Sequence, residues 1–125
     1  MNIRNWEQEC ILRLGDSDSQ VRSDAAFALG EIGSGDSIQP LLDLLKDSDK
    51  QVRKNAVRAL GLIGGCQAIP FLLESLKDSS PFVRGNAVLA IVKISGELHW
   101  AEIKQILTAE DHRWVLCLMK RHIGG

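Results

Sequence analysis

A chain of 125 residues, 45% hydrophobic and 25% charged, is long enough for one domain with a real core. Its formal charge is −1 and Lys and Arg are scattered along it, so it has no basic block to neutralise a run of phosphates and no expected nucleic-acid partner. Its longest apolar stretches are broken by Lys, Asp or Gly and no signal peptide is recognisable, which excludes a membrane-spanning role and predicts the cytosol.

Aromatic residues are 5% of the chain, tyrosine is absent, and Leu, Ile, Ala and Val dominate the apolar set, a composition that points to an all-α fold. In chain order, residues 3–14 read as a lone capping helix with Cys10, Ile11 and Leu14 inward and Trp6 closing an open edge. A unit then recurs every 31 residues: Asp16, Asp47 and Asp78; Val21-Arg22, Val52-Arg53 and Val83-Arg84; Ala25, Ala56 and Ala87; Leu29, Leu60 and Ile91; Ile32, Ile63 and Ile94. Within one unit Val52, Ala56, Ala59, Leu60 and Ile63 fall at the spacing of one helix face.

This first helix of each unit is predicted to be capped by Asp18, Asp49 and Ser80, with Pro81 at the first helical position of the third copy. Gly33, Gly64 and Gly96 are expected to end it in left-handed conformations. Gly30 and Gly61 lie inside it, where each costs about 1 kcal/mol against alanine, so their recurrence predicts close backbone approach to a neighbouring helix. Arg22, Arg53 and Arg84 stand in the first turn, where the helix dipole disfavours a cation, and Asp16, Asp47 and Asp78 are the expected partners in a structural ladder. A second helix follows through Ile38, Leu41, Leu42 and Leu45, and through Ile69, Leu72, Leu73 and Leu76. A third copy runs through residues 98–108 with Trp100, Ile103 and Leu107 inward, and residues 111–123 form a degenerate cap. Neither helix is stable alone, so the copies must stack.

The expected architecture is a right-handed α-solenoid of seven or eight helices in a single domain, 1–125. It divides into a cap at 1–15, repeats at 16–46, 47–77 and 78–108, and a cap at 109–125. Leu-Lys-Asp, then Val-Arg, Ala, Ala-Leu-Gly and Ile-Gly, then Pro and a Leu-rich helix resembles the HEAT-like repeats of the phycobilisome (phycobilin) lyase type, best over residues 35–65 and 66–96. The resemblance implies a binding scaffold, a non-catalytic adaptor for a partner protein, before it implies chemistry. Its alternative implication is a bilin lyase or chaperone-like subunit acting on a phycobiliprotein.

Catalytic groups are sparse. His99, His112 and His122 with Cys117 lack metal-ligand spacing, so neither metal nor cofactor is expected, and the absence of a His-Glu dipeptide excludes the hydroxylases built on such repeats. Cys66, after Gly64-Gly65, reads as a small residue in a tight turn or as an activated thiol at a helix start, and all three cysteines are expected as free thiols. The exposed face of the second helices is the expected binding surface, carrying Pro40, Asp43, Leu44, Phe71, Glu74, Ser75 and Glu102. Asp43 and Glu74 share one column, and Phe71, in the column of Pro40, either faces solvent as an apolar anchor or bends into the core. Open edges beside Trp6 or Trp114 leave room for a monomer or a weak homodimer.

Overall fold

The computed structural model describes residues 3–96 and 100–107, together with 111, 113 and 115–117. Seven α-helices and no strands occur among them: α1 (Ile3–Arg13), α2 (Ser19–Ile32), α3 (Ile38–Asp43), α4 (Lys50–Ile63), α5 (Ile69–Ser75), α6 (Pro81–Ser95) and α7 (Trp100–Ile106). Helices α2, α4 and α6 are the first helices of the repeats and stack in one layer, with α4 between the other two. Helices α1, α3 and α5 lie against α2, α4 and α6 respectively. The chain is an all-α solenoid. Its core runs without a break from Leu14 through Leu29, Leu41, Leu60 and Leu72 to Ile91 and Ile103, each of them buried.

Local chemistry sets the helix ends. Asp18 accepts from the Gln20 N–H, and Asp49 from those of Gln51 and Val52, as N-caps do. Ser80 holds the equivalent extended conformation, but its hydroxyl caps nothing and is buried without a partner among the described residues. There Pro81 fixes the first turn instead and removes one of the unpaired N–H groups of the helix start. Gly64 and Gly96 end α4 and α6 in the left-handed region, at φ 86° and 75°. Gly33 does not: its backbone is extended, and it is glycine because any Cβ there would collide with the Leu29 carbonyl and crowd Ile63 and Ser37.

The two internal glycines mark where helices meet. A Cβ on Gly30 would lie 3.3 Å from the Ala59 Cα, and one on Gly61 would lie 2.8 Å from the Ala90 Cα. The second helices are shorter and tighter than the 31-residue pattern suggests. After α3 the chain narrows into a 3₁₀ turn at Leu44–Lys46, and after α5 the bonds from Leu76 N to Leu73 O and from Lys77 N to Glu74 O have the same i→i+3 character.

The arginine ladder forms, with a different partner from the expected one. Arg22 reaches forward to Asp47, Arg53 to Asp78 and Arg84 to Asp111, each from Nε and Nη2 to the two carboxylate oxygens at 2.8–3.1 Å. The aspartate of the arginine's own repeat contributes its backbone: Nη1 of Arg22 donates to the Asp16 carbonyl, and that of Arg53 to the Asp47 carbonyl, both at 2.8 Å. Each rung therefore ties one repeat to the next and neutralises a cation at an unfavourable helix end. Burial pushes the Asp47 carboxyl up, but hydrogen bonds from Arg22 and the Asp49 N–H, with the charges of Arg22 and Arg53, outweigh it and hold the group below its ordinary value.

Candidate interaction surface

The second helices leave a groove of about 580 Å³ between α3 and α5. Its floor is apolar where Leu42, Leu45 and Phe71 meet, and its walls carry Asp43, Glu74, Asp78, Gln39 and Lys46. Phe71 stands in the second position after Ile69 in α5 and keeps 49% of its surface open, whereas the next residue, Leu72, is fully buried. Phe71 faces solvent and not the core. Pro70 in the first turn of α5 holds this part of the chain without costing a hydrogen bond. Asp43 is steadied by the Gln39 amide one turn earlier, Nε2 to Oδ1 at 3.2 Å, and Glu74 pairs loosely with Lys77 at 3.7 Å. Asp78 enters the groove already bound to Arg53.

Four of the seven expected residues thus come together: Asp43, Phe71, Glu74 and Ser75 all line the groove. Pro40 is half-buried beside it. Two expectations of exposure fail. Leu44 is 7% exposed and belongs to the core, because the 3₁₀ turn that begins there advances each side chain by about 120° instead of 100° and swings it inward. Ser75, in the same column, is 8% exposed on the groove floor, where its hydroxyl donates to the Phe71 carbonyl at 3.3 Å. The Glu102 side chain lies outside the described residues, as do His99, His112, His122 and Trp114.

Some surface features escaped the sequence. Leu42 and Leu45 read there as pure core, yet their edges floor the groove. On the layer of first helices, Arg58 of α4 sits 4.1 Å from the Phe27 ring centre and 2.5 Å from Glu31 of α2, beside exposed Leu62. Arg58, Leu62, Asn86 and Lys93 border a smaller depression of about 310 Å³ between α4 and α6. Only contacts between different repeats create it, so spacing within one helix gives no sign of it. Glu7 of α1 is buried and receives the Ser34 N–H at 2.7 Å and the Ser37 hydroxyl at 2.6 Å, fixing the turn that leads into α3. Cys10, Cys66 and Cys117 are free thiols, and Cys66 is exposed in the 3₁₀ turn before α5.

The family described as HEAT repeats matches residues 8–92, from within α1 to the last turn of α6, which includes both walls of the groove. The chain belongs to the HEAT-repeat family. No curated protein matches it. HEAT repeats generally mediate protein–protein interaction, and in this HEAT array the groove between α3 and α5 combines a half-exposed aromatic ring with the carboxylates of Asp43 and Glu74. No group of His, Cys, Asp and Glu among the described residues has the geometry of a metal site. No helix among them is long and apolar enough to cross a membrane.

Proposed function

We propose that this HEAT protein is a non-catalytic adaptor that binds a partner protein in the groove between α3 and α5. The observation that carries the reading is Phe71, a large apolar ring half open to solvent in a groove that the carboxylates of Asp43 and Glu74 also line. A half-exposed aromatic in a concavity is the kind of anchor on which binding energy concentrates, and the flanking carboxylates favour a partner segment carrying Lys or Arg. On this reading the chain acts in the cytosol as one domain, a monomer or weak homodimer, without metal or cofactor.

The resemblance to phycobilisome-lyase repeats gives the competing reading, a bilin lyase or chaperone-like subunit. The groove's chemistry favours the adaptor. An open-chain tetrapyrrole carries propionate carboxylates, and Asp43 and Glu74 would repel them. Affinity capture from a lysate with wild-type protein and a Phe71→Glu, Glu74→Lys double variant tests the proposal. A specific partner lost in the variant supports it, and recovery of the same partner by both proteins overturns the assignment of the groove. A shift in the visible spectrum of added bilin, abolished in the same variant, would favour the pigment reading instead.

A further inference from the structure

Each joint between repeats has a giving half and a receiving half. Helix α2 gives Arg22 and Gly30, and the next repeat receives them with Asp47 and Ala59; α4 gives Arg53 and Gly61, received by Asp78 and Ala90. Thirty-one residues before Asp47 and Ala59 stand Asp16 and Ala28, the same residue types at the first edge of the solenoid. Asp16 is already folded as a receiver: its Oδ1 accepts from the Asp18 N–H at 2.8 Å, as Asp47 accepts from Asp49 at 2.9 Å. Unlike Asp47 and Asp78, its carboxylate receives no arginine among the described residues.

The apolar part of the edge is uncovered in the same register. Val52 and Ala59 are fully buried beneath α2, whereas their counterparts Val21 and Ala28 are only half-buried. Both line a groove of about 670 Å³ whose other wall is α1, with Trp6 half exposed over Cys10. Its rim is charged, with Glu9 and Arg13 paired at 3.7 Å on α1 and Asp24 on α2.

We propose that this edge is a second binding site, which takes one α-helix of a partner protein carrying an arginine in its first turn for Asp16 and a glycine eight residues later against Ala28. The arginine-to-glycine spacing is that of Arg22 to Gly30 and of Arg53 to Gly61, the two helices this geometry already accommodates. A planar guanidinium meets Asp16 from both oxygens as it does at the inner rungs, and the glycine permits the close approach that Ala28 invites.

The test uses a fluorescent, lactam-bridged peptide with the sequence of residues 18–33, since a free helix of that length is marginal in water. Anisotropy with the intact chain should show saturable binding, weakened about tenfold by Asp16→Asn in the chain or by arginine→glutamine in the peptide. Ala28→Leu should abolish it by filling the place of the glycine. Asp16 is exposed and its replacement leaves the core untouched, so that arm stands even where Ala28→Leu impairs folding. Absence of saturable binding, or equal binding by the wild type and Asp16→Asn, overturns the proposal. Sedimentation showing self-association that Asp16→Asn dissolves would overturn it too, by giving the edge to a second copy.

Discussion

Gly61→Ala offers the sharpest check on how the helix layer is packed. In an isolated helix the substitution should stabilise by about 1 kcal/mol, because glycine is the poorer helix former. Here the new methyl would lie 2.8 Å from both the Cα and the Cβ of Ala90, and neither atom is the end of a flexible side chain. Relief requires α4 and α6 to separate, and overpacking against backbone costs roughly 3 kcal/mol, the upper end of the usual range. The net expectation is a loss of about 2 kcal/mol, a fall of roughly 1–2 M in the urea midpoint by helical circular dichroism at unchanged slope. Gly30→Ala should cost less, because its nearest obstacle is the movable guanidinium of Arg58, with the Ala59 Cα at 3.3 Å. Gly35→Ala meets nothing within 4 Å and should be neutral or stabilising by up to about 1 kcal/mol. A Gly61→Ala protein at least as stable as the wild type would refute the close approach of α4 to α6.

Other expectations follow from the polar joints. Arg53→Ala removes the two charge-assisted hydrogen bonds to a largely buried Asp78 carboxylate, leaving it only the Ser80 N–H among the described residues, and should destabilise by about 2–3 kcal/mol, with Arg53→Lys restoring only part of it because an ammonium cannot span both oxygens. Urea unfolding of the two variants checks this. Since the folded-state pKa of Asp47 is depressed, its ionised form stabilises the protein above about pH 4, and that contribution is lost as pH falls through the lower folded value. Asp47→Asn should therefore melt lower than wild type at pH 7, with the difference closing below about pH 4 in thermal scans. Glu7→Ala leaves Ser34 and Ser37 without their acceptor and should cost about 2 kcal/mol, while Glu7→Gln costs less. Hydrogen exchange should show the loss first at the turn into α3.

The fold was largely legible because the features that specify it are local and repeated. Val-Arg in all three copies, the internal glycine in the first two and a glycine after the last turn of each mark a helix start, a contact and a stop, and the 31-residue period makes the pattern visible. The misses have physical causes. A strict helical register put Leu44 and Ser75 on the outside, but the last turn of each second helix tightens and rotates them inward. Gly33 looked like a left-handed stop, although what excludes a side chain there is the Leu29 carbonyl, an obstacle visible only in three dimensions. The aspartate column was read as a partner within its own repeat, but its carboxylates bind the preceding repeat's arginines, a contact across 25 residues that spacing alone does not orient.

Scaffold and site meet at Asp78. Its carboxylate closes a rung of the ladder with Arg53 and also lines the groove beside Glu74. The negative charge it would add to the groove is therefore largely neutralised, and the groove's remaining acidity comes from Asp43 and Glu74, which bind no arginine among the described residues. Asp43 and Glu74 occupy the same column of successive repeats, and Arg53 bridges the ends of the two helices that carry them, its Nη1 on the Asp47 carbonyl just after α3 and its Nε on the Asp78 carboxylate just after α5. The ladder thus does more than stabilise the stack. By holding α5 against α3, it sets the separation of the Asp43 and Glu74 carboxylates beside Phe71, and on the proposed adaptor reading it thereby sets the spacing of positive charge that a partner would bring.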